Sequence, residues 1–279
     1  MFGNVIVGVD GRDGGRDAIA LAKALSTGRV TLVRACAADG ILSRHAAGGF
    51  DEVLHTLAAA AREAGLDAEL VPVADAPPPR ALHSRAEAAA ADLIVIGSAR
   101  HGPVGRLLLG DVGRGVLHGA RCPVAVAPKR FRGGPPRSVA VGTDGSPEGR
   151  AAVAVAAGYA SATGADLTVC VAWESDSPPL VLAYPVDLEE FEARRRDVGR
   201  RILDATLATL PSSTAGQLLH GRPDLELMAA AREHDLLVVG SHGSGALRRI
   251  AVGSTSDRLV HLAPCPVIVV PRPLASRPA

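Results

Sequence analysis

Glycine and hydroxyl residues with a spacing suited to phosphate binding cluster in the second half of the chain. We call residues 240–256 the glycine segment. Two glycines open it, and after nine further residues a third glycine precedes three hydroxyl residues: Gly240, Gly243, Gly253, Ser254, Thr255 and Ser256. Glycine lets a backbone approach a ligand closely. A helix that begins after Gly253 would add free N–H groups and the positive end of its dipole, which suit anions.

Four more residues near this segment could contact the same ligand. Ser241 and His242 lie inside it, and His242 is either a ligand contact or a solvent-exposed side chain. Thr143 and Asp144 follow an apolar run, and Asp144 could accept from a ribose hydroxyl or hold a divalent ion. Glycine at a strand end and serine at a helix start are also common without a ligand. The spacing alone therefore does not decide between a nucleotide site and residues that only end a strand or begin a helix.

The elements that would position these residues alternate between β and α. In the second half, we predict strands at 138–144, 166–173, 216–220, 236–241 and 267–270, and helices at 147–162, 187–210, 224–234 and 253–263. Pro147 suits a first helical turn and Asp224 suits an N-cap. Alternation of this kind predicts a parallel sheet with helices on both faces. Ligands of such sheets bind beyond the strand carboxyl ends, where the strand order reverses.

The chain repeats this pattern. Residues 91–98 read like residues 234–241, Cys122-Pro-Val reads like Cys265-Pro-Val, and residues 7–11 match residues 141–145. A stretch rich in glycine and proline, 130–137, separates the halves. We therefore predict two domains, residues 1–131 (domain 1) and residues 138–272 (domain 2).

Composition narrows the function classes. The formal net charge is +1, which gives no sign of a nucleic-acid or membrane partner. The Arg194–Arg196 run is best explained as a solvated helix face. No signal-peptide pattern and no apolar stretch of about 18 residues is present, so we expect a cytoplasmic protein. The cysteines form no C-x-x-C pair, which predicts buried free thiols at Cys36, Cys122, Cys170 and Cys265.

The second half resembles the universal stress protein family over essentially its whole length. The ATP-binding members carry G-x2-G-x9-G-[S/T], which Gly240, Gly243, Gly253 and Ser254 match. Asp144, Gly221 with Pro223, and the Cys265-Pro-Val ending also fit. The resemblance implies a Rossmann-like, five-stranded parallel sheet in the order 3-2-1-4-5 in each domain. It further implies ATP, with Mg²⁺ held through the nucleotide at Asp144, and adenine near the end of the second strand. Ala172 best matches that position, with Val171 as the alternative.

The first half departs from the motif. Gly97 and Gly110 remain, but Arg100 replaces the second glycine, Asp111 replaces the following serine, and Gly113 stands where Ser256 does. A carboxylate at a helix N-terminus stabilises the helix but repels phosphate. We therefore predict that domain 1 does not bind ATP. In the alternative, Arg100 acts as an anion contact.

Three functions remain open at this stage. The first is a stress-response regulatory protein that binds ATP in domain 2 and couples occupancy to conformation or to an unknown protein partner. The second is a slow ATPase or phosphotransferase, for which Arg248 and Arg249 are available, although no catalytic base is visible. The third is a scaffold without nucleotide. The resemblance implies that the two last strands pair within the chain and that two chains form a homodimer. His118 and His261 recur at matching positions, which favours packing over chemistry.

Overall fold

The computed structural model describes residues 1–36, 46–74, 76–98, 110–174, 188–241 and 253–272. Ten strands lie in these ranges: β1 (Phe2–Gly8), β2 (Ser26–Cys36), β3 (Glu69–Ala74), β4 (Leu93–Gly97), β5 (Val124–Ala127), β6 (Ser138–Gly142), β7 (Asp166–Trp173), β8 (Ala215–His220), β9 (Leu236–Gly240) and β10 (Val267–Val270). They form one sheet in the order β3-β2-β1-β4-β5-β10-β9-β6-β7-β8. Each half therefore has the predicted order 3-2-1-4-5.

Helices cover both faces of this sheet. The described residues contain α1 (Asp13–Leu25), α2 (Ala46–Ala64), α3 (Pro78–Ala88), α4 (Asp111–Gly119), α5 (Pro147–Thr163), α6 (Leu188–Leu207), α7 (Pro223–Glu233) and α8 (Ser254–Leu262). One buried cluster joins α1, α2, α5 and α6 to one face of the sheet, and a second joins α3, α4, α7 and α8 to the other. The inner strands are therefore apolar on both faces, as parallel sheets require. None of the described helices combines the length and apolar character needed to cross a membrane.

The two domains meet along their last strands. β5 and β10 pair antiparallel, with Val126 opposite Val267 and Val124 opposite Val269. All other strand pairs are parallel. The predicted pairing of the last strands within the chain is therefore observed. This pairing also covers one edge strand of each domain, which would otherwise be exposed.

An aspartate ties the start of the first strand to the fourth in both domains. Asp92 accepts from the N–H groups of Gly3 and Asn4, at 2.8 and 2.9 Å. Asp235 accepts from those of Arg137 and Ser138, at 2.9 and 3.1 Å. The backbone hydrogen bond from Arg137 leads the causes that lower the pKa of Asp235. This contact sets the two strands side by side, and the switch point lies at their opposite ends.

Several local predictions change. Asp224 is not an N-cap: α7 begins at Pro223 with Arg222 as N-cap, which leaves Asp224 as the second helical residue. β6 ends at Gly142 and β9 at Gly240, so Asp144 and Ser241 lie in the connections that follow. α6 ends at Leu207 instead of Leu210. Pro147 does open α5, with Ser146 as its N-cap.

The cysteine and histidine side chains that recur in the two halves differ in how deeply they are buried. Cys170 and Cys265 are buried free thiols, as predicted, and burial raises the pKa of each to about 12. Cys122 is only half-buried, and burial is the first cause that raises its pKa to about 11. His261 is buried and its Nδ1 contacts the Asp257 carbonyl, whereas His118 is exposed. Packing therefore explains His261 but not His118. Arg194, Arg195 and Arg196 are exposed on α6, as expected.

Candidate functional site

The polar groups of the turn after β6 lie against the first turn of α5. Gly145 adopts a φ of 74°, which favours glycine. Thr143 is buried, and its Oγ1 accepts from the Gly145 N–H at 3.2 Å. Asp144 is half-buried, and its Oδ1 accepts from the Ser146 N–H at 3.0 Å. A Cβ on Gly149 would lie 2.6 Å from Thr143 Oγ1, so the first turn of α5 packs directly on this turn.

The end of β7 lies beside this turn. Cys170 is paired with Gly142, the last residue of β6, and its carbonyl accepts from the Thr143 N–H at 3.0 Å. N–H and C=O groups of alternate residues point to the same side of a strand. The backbone groups of Ala172 therefore point past the end of β6, whereas those of Val171 point towards β8. This register favours Ala172 over Val171 as a base contact.

The described ends of the glycine segment meet at Ser241. Its carbonyl accepts from the Gly253 N–H at 2.7 Å and from Ser256 Oγ at 3.1 Å. Ser256 Oγ also contacts the Gly253 carbonyl at 3.0 Å, and its side chain is buried. The hydroxyl of Ser256 therefore closes the loop between Ser241 and Gly253. Its contacts in this structure are to the protein backbone.

The start of α8 offers donors to an anion. The first intrahelical bond runs from the Asp257 N–H to the Gly253 carbonyl, at 2.8 Å. The N–H groups of residues 254–256 thus precede the helical ladder, and Gly253 has no side chain to cap them. Ser254 is exposed and Thr255 is half-buried. Asp257 also lies in the first turn, where its carboxylate is 3.9 Å from His261 Nδ1.

Gly240 has a packing role that the sequence did not reveal. A Cβ placed on it would lie 2.9 Å from the Glu148 carbonyl carbon and 3.0 Å from Glu148 Cβ. The glycine therefore lets α5 lie against the end of β9. Glu148 is buried, and its carboxylate pairs with Arg272 Nε at 3.5 Å, after β10.

Domain 1 keeps the contact between its first helix and the glycine at the end of its fourth strand. Its described residues lack hydrogen bonds like those that join Gly253 and Ser256 to Ser241. A Cβ on Gly97 would lie 1.9 Å from the Gly14 carbonyl oxygen, so α1 packs even closer to β4. Ser98 stands where Ser241 does, and its buried Oγ has no hydrogen-bond partner among the described residues. Gly113 supplies no hydroxyl in place of Ser256. Across the ranges that the structure describes, no hydrogen bond joins Ser98 to Gly110.

Several predicted residues fall outside the described ranges. These are His242, Gly243, Arg248 and Arg249 in the glycine segment and Arg100 in domain 1, and the side chain of Cys36 is likewise outside what the structure describes. The others, Thr143, Asp144, Ala172, Gly240, Ser241, Gly253, Ser254, Thr255 and Ser256, lie at or just beyond the carboxyl ends of β6, β7 and β9, or at the start of α8. β6 lies between β7 and β9, so these residues surround one end of β6.

Sequence reasoning missed an ionic cluster between α7 and α8. Asp224 is 7% exposed. Its carboxylate accepts from Arg222 Nη2 at 2.9 Å, from Arg222 Nε at 3.2 Å and from Arg258 Nη1 at 2.5 Å. Burial raises the pKa of Asp224, but the Arg222 hydrogen bond and the charges of Arg222 and Arg258 outweigh it, so the pKa is lowered. Nothing in the spacing of Asp224 and Arg258 indicated this contact, because it joins two helices.

The "Universal stress protein family" model matches residues 1–128 and again residues 136–271. The chain belongs to the universal stress protein family. Universal stress protein Rv1996 of Mycobacterium tuberculosis is 33% identical over 183 residues, which cover 63% of this chain and 58% of that protein. The chain thus aligns with less than two thirds of that relative.

Two further proteins extend the comparison. A universal stress protein from Thermus aquaticus, described as lying in the QAH/OAS sulfhydrylase 3′ region, is 36% identical over 138 residues, or 48% of this chain and 98% of that protein. The crystal structure of a universal stress protein from Archaeoglobus fulgidus DSM 4304 superposes with a TM-score of 0.67 and 21% identity, covering 96% of each chain. At that identity the likeness shows the fold. Both the tandem organisation and the α/β fold agree with the sequence predictions.

Proposed function

We propose that this protein is a stress-response regulator that binds ATP with Mg²⁺ at the carboxyl ends of β6, β7 and β9. The observation that carries the proposal is the closure of the glycine segment at Ser241 by Gly253 and Ser256. This closure sets uncapped N–H groups of α8 at the switch point of domain 2. Helix N-termini of this kind bind phosphate groups.

Each described residue has a physical role in this proposal. The backbone of Ala172 contacts adenine, and Asp144 contacts the ribose or Mg²⁺. The N–H groups at the start of α8, with the hydroxyls of Ser254 and Thr255, hold phosphates. Ser256 and Thr143 shape the backbone around the ligand. Among the described residues no group of three or more His, Cys, Asp or Glu side chains could hold a metal ion. In this proposal, phosphate oxygens supply most of the Mg²⁺ ligands.

Regulation follows if ATP changes the surface around the glycine segment. Ser241 and Gly253 fix the two ends of the intervening loop. ATP occupancy would then change the surface that domain 2 presents at the start of α8, and a protein partner would recognise that surface. Such a change requires that the conformations of this surface differ in their affinity for ATP.

Association of two chains is a further part of the proposal. The last strands, β5 and β10, already pair within the chain. A homodimer must therefore use surfaces other than these two strands. Sedimentation of the purified chain with and without ATP would measure its oligomeric state and any dependence on nucleotide.

Calorimetric titration of the nucleotide-stripped protein with ATP and Mg²⁺ tests the proposal. We expect saturable binding to the wild type and none to Gly243→Arg, which gives the glycine segment the residue type found at Arg100. Arg100→Gly in domain 1 is the matched control and should leave binding unchanged. Absence of heat, together with no ATP protection against thermal unfolding, would contradict the proposal. Release of ADP beyond one equivalent, lost in Gly243→Arg, would instead support the enzyme alternative.

A further inference from the structure

The cluster at Asp224 links the two helices that flank the proposed site. Arg222 precedes α7 and Arg258 lies in the second turn of α8, so a single carboxylate joins the start of α7 to the second turn of α8. The two arginine side chains are each 51% exposed, while that of Asp224 is 10% exposed. A buried carboxylate is costly unless it is paired and hydrogen-bonded. Arg222 supplies part of that pairing from the start of α7, and Arg258 supplies the rest only while α8 stays close to α7.

Domain 1 joins the equivalent helices in a different way. Counted from the matching prolines Pro78 and Pro223, Pro79 stands where Asp224 does. Counted from Gly110 and Gly253, Gly115 stands where Arg258 does. A Cβ on Gly115 would lie 2.7 Å from Pro79 Cγ, and His83 Nε2 contacts the Val116 carbonyl at 2.8 Å, so α3 and α4 meet by close packing and a neutral hydrogen-bond contact. Within the described ranges, a buried carboxylate that joins these two helices is therefore found only in the domain that carries the complete glycine motif.

The helix that this link holds is the one that ends the glycine segment. Arg258 lies one helical turn after Ser254, whose N–H and hydroxyl belong to the proposed phosphate site. The hydrogen bonds from Gly253 and Ser256 to the Ser241 carbonyl fix the same helix from its other side. The start of α8 is thus held by β9 and by α7 together.

We propose that Asp224 is a positioning residue for the nucleotide site, which fixes the start of α8 through Arg258 so that its N–H groups meet the phosphates. This inference rests on the proposed function. Asp224 acts through α8 and makes no contact with the ligand. A displaced helix N-terminus would weaken phosphate contacts and leave contacts to adenosine largely intact. The loss should therefore depend on the phosphates of the ligand.

Titrations with ATP, and with adenosine in competition with ATP, test this inference. We expect Asp224→Asn to weaken ATP binding at least fivefold and adenosine binding less than twofold. Arg258→Gln should weaken ATP binding and adenosine binding by the same factors as Asp224→Asn. Because it leaves Asp224 paired with Arg222, it replaces Asp224→Asn in the test if that variant does not fold. Glu69→Gln, which removes the 2.5 Å pair with Arg85 in domain 1, is the matched control and should change neither affinity.

The outcomes separate the inference from the proposed function. A wild type that binds no ATP would overturn both. A wild type that binds ATP, with unchanged or tighter ATP binding in Asp224→Asn and in Arg258→Gln, would overturn only the positioning role. Equal losses for ATP and adenosine would also overturn it, because they would reflect general destabilisation.

Discussion

The switch points of the two domains share their strand order and differ in the side chains that surround them. In both, a glycine at the end of the fourth strand lets the first helix pack closely, at Gly97 and at Gly240. Among the residues that the structure describes, the hydrogen bonds from Gly253 and Ser256 to the Ser241 carbonyl have no counterpart in domain 1. Among the described residues, only domain 2 links its last two helices through a buried carboxylate, Asp224, whereas in domain 1 an exposed pair, Glu87 and Arg121, joins α3 to the segment just after α4.

This difference separates architecture from ligand binding within one motif. The first glycine persists in domain 1 although the rest of the motif is lost, because the helix contact needs it. At the later motif positions domain 1 has Arg100, Asp111 and Gly113. The packing contact at Gly97 places no constraint on these positions. A glycine that matches a nucleotide motif is therefore weak support for a nucleotide by itself.

The glycine contacts predict the largest effect. In Gly97→Ala the new Cβ would lie 1.9 Å from a backbone oxygen, whereas in Gly240→Ala its nearest neighbours are at 2.9 Å or more. Overpacking of this kind costs about 3 kcal/mol in severe cases and about 1 kcal/mol in mild ones. We expect losses near these two values, respectively, in the free energy of unfolding measured in urea. Equal losses would show that the two packing contacts are equivalent.

The ionic link predicts a smaller, pH-dependent effect. Asp224→Asn should cost about 2 kcal/mol at pH 7, less than a fully buried pair because the arginines are half exposed. The pKa of Asp224 is lowered in the folded state, so its stabilisation is present above the unfolded pKa and is lost as pH falls through the folded pKa. Below about pH 4, urea titrations should therefore show the wild type losing stability faster than the variant. Parallel pH profiles would contradict the assignment.

The loop closure predicts an effect of about 1 kcal/mol, the usual contribution of a hydrogen bond. Ser256→Ala should lose that stability and also bind ATP less tightly, because Ser241 and Gly253 are then held by one hydrogen bond less. Ser254→Ala is the matched comparison: Ser254 is exposed, so ATP binding should weaken with little change in urea unfolding. If both variants unfold like the wild type, Ser256 does not stabilise the loop.

The smallest effect concerns the end of α3. Ala90 adopts a φ of 49°, and its N–H and that of Ala91 donate to the Glu87 and Ala86 carbonyls. Glycine is the usual residue at this left-handed position after a helix. We expect Ala90→Gly to raise the free energy of unfolding by about 0.5 kcal/mol after the entropic cost of glycine is subtracted. The melting temperature should therefore rise slightly. Ala89→Gly, at a right-handed position, should lower it.

Sequence reasoning predicted the tandem fold and the strand order because both follow from short apolar runs and a repeated pattern. β7 and β10 were placed at their observed bounds. It misplaced Asp224 as an N-cap because Asp favours that position locally, whereas the observed partner, Arg258, is distant in the sequence. It placed Ser256 among the ligand donors, which stays a prediction, and it missed the hydrogen bond from Ser256 to the Ser241 carbonyl because that acceptor becomes visible only once β9 and α8 are in place.

The central claim is that one domain of each chain binds ATP. Native mass spectrometry of the wild type, Gly243→Arg and Arg100→Gly, each with ATP and Mg²⁺, would count the nucleotides bound per chain. We predict one in the wild type, none in Gly243→Arg and one in Arg100→Gly. Two per wild-type chain, or one retained in Gly243→Arg, would contradict the assignment of ATP binding to domain 2.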